Sequence, residues 1–131
     1  MTARRFIRGM RRYQTVSRKQ ATRIFQDAAF SIGEDIVSHS PVDTGRFKGN
    51  WNASVGVPDT SADYNHFDPA GYSVIARLGA IAARLKLGQV FWFANTIDYS
   101  GLLERGHSRQ APTGVVRPAI ARLITRLRLR R

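Results

Sequence analysis

Apolar residues recur every three or four positions from residue 17 to 38: Ala21, Ile24, Phe25, Ala28, Ala29, Ile32, Ile36 and Val37. That spacing predicts an amphipathic helix over 17–38 with a buried stripe. Thr15 or Ser17 suits its start, where a side-chain oxygen accepts a free backbone N–H, and Pro41 suits its end. Ser40 to Gly45 reads as a turn: Pro41 fixes φ, Asp43 bonds an N–H two residues on, and Gly45 takes positive φ. The period then changes to two. Trp51, Ala53, Val55 and Val57 alternate with Asn50, Asn52, Ser54 and Gly56, which predicts a strand with its apolar side buried. A Pro-, Gly- and Asp-rich loop fills 58–72. Val74, Ile75, Leu78, Ile81, Ala82 and Leu85 then predict a helix over 73–87, with Gly88 just past its end. Val90 to Ala94 is apolar on both faces, the pattern of a central, covered strand. A helical turn is expected around Tyr99–Arg105. A last helix begins near Val115 or Pro118, with Ile120, Leu123, Ile124 and Leu127 as its buried stripe. The fold class expected is α+β: a small antiparallel sheet packed with a long N-terminal helix, a middle helix and a C-terminal helix.

Charge divides the chain differently. The 131 residues carry 21 Lys and Arg against 9 Asp and Glu, a net +12. Residues 1–26 hold eight cations and no acid, and residues 105–131 again hold eight and none. All nine carboxylates lie in 27–104, beside five cations, so that span nets −4. Most of the cations are Arg, whose planar fork suits phosphate or carboxylate better than Lys does. The organisation expected is a basic N-terminal arm at 1–16 and one domain at 17–131. Partners expected on charge alone are nucleic acid, an acidic protein surface or anionic lipid.

Other classes fall away. No apolar run is long enough to span a bilayer, and no secretory apolar core is present. The stretch Thr2–Arg12 has the composition of a transit peptide, but Phe6, Ile7 and Met10 make a short face that Gly9 interrupts, so a cytosolic protein is expected. With zero cysteines, disulfides, thiolate nucleophiles and Cys-based metal sites are excluded.

Catalytic signals are thin. His39, His66 and His107 are far apart and lack metal-ligand spacing. His107 beside Glu104 is expected to close a turn rather than do acid–base work. Asp59, Asp63 and Asp68 share a loop without the Gly and Glu positions of a calcium hand, so solvated acids are expected. Phe91, Trp92 and Phe93 have no interleaved cation, which favours a buried strand over a base-stacking platform. No enzyme, cofactor or metal is expected. Arg122, Arg126 and Arg130 form one i,i+4 row on the last helix, and with Arg4, Arg5, Arg8, Arg11 and Arg12 they are the candidate residues for facing DNA or an acidic partner protein.

Five blocks together resemble a known family. Ser40-Pro41-Val42-Asp43-Thr44-Gly45-Arg46 leads into Gly49-Asn50-Trp51, followed by Leu87-Gly88-Gln89, then Asn95 with Ile97-Asp98-Tyr99. Leu103-Glu104-Arg105-Gly106-His107-Ser108 and Gln110-Ala111-Pro112-Thr113-Gly114-Val115-Val116-Arg117 complete the pattern. In order and spacing they resemble the tail-completion, minor tail protein Z-like, neck proteins of long-tailed bacteriophages, over about residues 17–127. The extreme Arg content of both ends departs from that pattern. The resemblance implies a structural virion protein, made in the host bacterial cytoplasm, that completes the tail and joins it to the head connector. It implies a homo-oligomeric ring around the DNA channel, expected to be a hexamer, flanked by other neck and tail proteins and touching genomic DNA through phosphates. It also implies family-motif or subunit-contact roles for Pro41, Asp43, Thr44, Gly45, Asn50, Trp51, Tyr99, Leu103, Glu104, Gly106, His107, Pro112 and Arg117. A tail terminator or head-closure protein, and a free basic nucleic-acid-binding protein, are the alternatives.

Overall fold

In the computed structural model, which describes residues 2–129, the first helix begins well before its apolar stripe. Helix α1 spans Ala3–His39 and is capped by Thr2, whose Oγ1 accepts from Arg5 N at 3.3 Å. Thr15 therefore lies inside the helix, its hydroxyl donating to Arg11 O at 3.0 Å, and neither Thr15 nor Ser17 is the cap. The basic segment expected as an arm is thus the first half of a 37-residue helix. Ser40 ends it, as the nearby Pro41 requires.

After α1 come α2 (Arg46–Gly49), β1 (Asn52–Val55), α3 (Tyr72–Ala82), β2 (Phe91–Ala94), α4 (Ser100–Glu104) and α5 (Val116–Leu129). The fold class is α+β, with one antiparallel sheet of two strands in the register Asn52↔Ala94, Ala53↔Phe93, Ser54↔Trp92 and Val55↔Phe91. α3 packs against α1, and Leu78 is fully buried at the join. Gly33 makes that approach possible, because a Cβ there would lie 2.5 Å from Leu78 Cδ2. Ile36, Val37, Phe47, Trp51, Val74, Ala111, Val115 and Ala119 form the main core, and Ala29, Ala82 and Leu85 a smaller one. Among the described residues, Phe25 is the first apolar residue of α1 packed against either cluster, and Gln26 Nε2 donates to Ala83 O and Leu85 O at 3.2 and 2.9 Å.

Three expectations about burial are overturned. Along 50–57, Trp51 is buried as expected, but so are Asn50 and Asn52, while Val55 and Val57 are exposed. The amides have partners that apolar side chains lack. Asn50 Nδ2 donates to Arg46 O and Asp63 O, its Oδ1 accepts from Asp63 N, and Asn52 Nδ2 donates to Ser61 O. They hold the loop after β1 as a third strand would. β2 is not a central covered strand. It has one neighbour, and no layer covers the face carrying Trp92, which is exposed with Nε1 donating to Gly56 O at 3.0 Å. On α5, Ile120, Ile124 and Leu127 are exposed, only Leu123 of the expected stripe is half-buried, and Ala119 with half-buried Val116 joins the core. α3 also stops at Ala82, so Gly88 (φ +89°) serves the Lys86–Gln89 turn rather than the helix end.

Candidate functional site

The turn after α1 is built from its own side chains. Ser40 Oγ donates to Ile36 O at 2.7 Å and accepts from the buried Trp51 Nε1 at 2.9 Å, tying the helix end to the core. Gly45 has φ +88°, and a Cβ there would meet Pro69 N at 2.5 Å, so the position admits only glycine without strain. The bond expected from Gly45 N to Asp43 is not made, and Asp43 is exposed; Thr44 Oγ1 instead accepts from Arg46 N at 3.3 Å. Arg46 lies over the Tyr64 and Phe67 rings, 5.7 and 5.2 Å from their centroids, and its Nε donates to Tyr64 O at 2.8 Å.

A distant segment closes on this turn. Val42 N donates to Gln110 Oε1 at 2.8 Å, and Gln110 Nε2 donates to Val42 O at 2.9 Å. One amide side chain thus meets both backbone groups of a residue 68 positions away, as a strand partner would. Between them lies a cleft of about 340 Å³ lined by residues 41–47 with Tyr99, Leu103, His107, Ser108 and Gln110. Pro41, Asp43, Thr44, Gly45, Tyr99, Leu103 and His107 therefore come together at one surface. Tyr99 packs on Phe47 with ring centroids 6.4 Å apart, and burial pushes its phenol up against the pull of Arg46. Asn50 and Trp51 are buried and do not line the cleft. Trp51 meets Phe47 edge-on at 5.6 Å and stacks on Phe93 at 5.1 Å.

Glu104, Gly106, Pro112 and Arg117 form a joint rather than a cleft wall. The Glu104 carboxylate accepts from Val115 N at 2.9 Å, Val116 N at 2.8 Å and Arg117 N at 3.0 Å, meeting the free N–H groups at the start of α5. Burial opposes its ionisation, but the bonds from Val116, Val115 and Arg117 prevail, and the carboxyl titrates below its ordinary value. Gly106 and Gly114 have φ +87° and +86°, and a Cβ on either would lie 2.3 Å from a backbone oxygen, of Pro112 and Glu104 respectively. Exposed Pro112 closes this joint. His107 makes no bond to Glu104 and stands exposed at the cleft.

The arginines divide into two sets. Arg122 Nε and Nη2 each reach an oxygen of Asp35 at 2.8 Å, a fork that locks α5 onto α1. That fork holds the Asp35 carboxyl below its ordinary value despite burial, with the charges of Arg122, His39 and Arg126 assisting. Arg126 is exposed near the same carboxylate, and Arg130 lies outside the described residues. Arg4, Arg5, Arg8, Arg11 and Arg12 are all exposed on α1.

The loop acids are structural rather than merely solvated. Asp68 accepts from Tyr72 N, Ser73 N and Val74 N at the start of α3, Asp59 from Ser61, and Asp63 from Asn65. Ser73 Oγ donates to Asp68 Oδ2 at 2.7 Å and lies 3.2 Å from His66 Nε2. The carboxylate accepts the serine's hydrogen bond directly, so the order of a serine–imidazole–carboxylate relay is absent at these three residues. Among the described residues no three His, Asp or Glu side chains gather to hold a metal ion, and no helix is long and apolar enough to cross a membrane. Reading residue types in order gave the turn blocks but not the roles of Arg46, Gln110 and Asp35. Their partners lie 18, 68 and 87 positions away, beyond any local pattern. Compared with protein-family models, curated proteins and solved structures, the chain matches none.

Proposed function

We propose that this protein is a structural subunit of the bacteriophage neck, similar to tail-completion proteins, that assembles into a homo-oligomeric ring joining tail to head connector in the virion and performs no catalysis. The observation that carries the reading is the gathering of sequence-distant motif blocks at one cleft by the Gln110–Val42 pair. A ring subunit needs a concave face that accepts a convex part of its neighbour, and such a contact is heterologous. A cleft whose shape depends on Gly45 and on a side chain serving as a backbone partner supplies fixed geometry, with Asp43, His107 and Ser108 at its lining for polar contacts.

The decisive experiment is a phage assembly assay. Lysates lacking the protein are expected to accumulate filled heads and free tails, and adding the purified protein should join them. Heads that join tails normally in its absence overturn the reading. In light scattering, the rim pair Asp43→Arg and His107→Glu is expected to lower oligomer mass without lowering the melting temperature.

A further inference from the structure

We infer that the first half of α1, rather than α5, is the nucleic-acid-binding element of this protein, gripping the phosphates of duplex DNA along one face of the helix. Arg4, Arg5, Arg8, Arg11, Arg12, Arg18, Lys19 and Arg23 are all exposed, and among the described residues their side chains make no hydrogen bond or ion pair. No acid occurs before Asp27. At 3.6 residues per turn these eight cations fall within an arc of about 140°. Phe6, Ile7, Met10, Ser17 and Ala21 take the opposite side.

Charge density selects the occupant. From residue 4 to residue 23 the helix is about 29 Å long, and a duplex presents about 17 phosphate charges over that length. The protein's own acidic span offers a net −4 spread over residues 27–104, too sparse to neutralise a neighbour's arm. A bilayer fits less well. Phe6, Ile7 and Met10 are 57%, 49% and 46% exposed, but Ser17 and Gln20 interrupt that face where an interfacial helix needs apolar residues. On α5, Arg122 is already committed to Asp35.

Binding reinforces the helix. Arg4–Arg8, Arg8–Arg12 and Lys19–Arg23 are like-charge i,i+4 pairs, and no acid in the first turn offsets the helix dipole. Phosphates on that face remove the repulsion, so duplex binding stabilises the helix against fraying. The inference stands apart from the neck reading, since such an arm binds phosphate whether or not it sits in a virion.

The test is fluorescence anisotropy of the full-length protein with two labelled duplexes of unrelated sequence. Equal affinity for both is expected, with log K falling against log salt at a slope of about −5. Changing Arg4, Arg5, Arg8, Arg11 and Arg12 to Gln together should weaken binding by about thirtyfold or more near physiological salt and flatten the slope. Arg117→Gln with Arg128→Gln, on α5, should change it by less than about threefold. Ellipticity at 222 nm should deepen on adding duplex to the wild type and not to the five-Gln variant. The inference is overturned if no duplex binds even at low salt, if the α5 variant loses as much as the arm variant, or if the protein binds phosphatidylserine vesicles and not duplex. Loss of duplex binding with intact head–tail joining activity would remove this inference alone. Duplex binding by a protein dispensable for joining would remove only the neck reading.

Discussion

Two arginine-rich helical segments have opposite relations to the fold. α5 is fixed at both levels: Glu104 meets its first N–H groups, and Arg122 forks onto Asp35 of α1. Among the described residues, the first half of α1 has a cap from Thr2 and no hydrogen bond, ion pair or core contact to another element before Phe25. Cationic charge therefore does not decide what an arginine does. A carboxylate within reach does, because a paired guanidinium has spent its fork and an unpaired one has not.

Substitutions can break this contrast, beginning with the joint. Gly114→Ala drives a Cβ into the Glu104 carbonyl at positive φ, and a loss of about 3 kcal/mol or more is expected in urea unfolding. The opposite end provides the control: Gly9 has open space around it, so Gly9→Ala should leave the unfolding midpoint unchanged and raise helicity, worth up to about 1 kcal/mol locally. Next in size, Glu104→Ala strands three N–H groups and should cost about 1–2 kcal/mol.

The same carboxylate sets the acid response. Glu104 and Asp35 titrate below their ordinary values of 4.5 and 3.8, so their contribution is complete above those values and lost as pH falls through the lower, folded ones. A melting-temperature series from pH 6 downward is expected to fall less steeply for Glu104→Ala than for the wild type below about pH 4.5; parallel curves would contradict this sign. Arg122→Gln should cost under about 1 kcal/mol, because Asp35 is 12% exposed but Arg122 is 43% exposed and screened. Smallest of all, the five-Gln arm variant should lie within about 0.5 kcal/mol of wild type in stability, whatever it does to duplex binding.

How far these features could be read from residues alone follows from their range. Ala28 to Val37 form a sustained stripe, so the long helix was legible; its start was not, because Arg-rich turns around Gly9 carry no apolar period and Thr2 acts through one local bond. Pro41 and Gly45 announced their turn, since a fixed φ and a positive φ are properties of the residues themselves. The faces of β1 and β2 misled. Period two reports which residues share a side, not whether a layer exists to cover it, and here Asn50 and Asn52 found loop partners while Val55 and Trp92 found no cover. At the candidate site, the blocks were visible in order, but their meeting at one cleft depends on Gln110 reaching Val42 across the fold.

The unbroken run of α1 has a mechanical meaning. One rod passes from Arg4 to Val37 at the core, and its only glycines are Gly9 and Gly33, the second wedged against Leu78. Whatever grips the outer end holds a lever about 30 Å long whose fulcrum is the Gln26–Leu85 contact, so a small tilt imposed outside is felt as torque on the α1–α3 seam. Gly9 is the one compliant link on that lever, placed beyond Arg8, so only the first turns can swivel without turning the whole body.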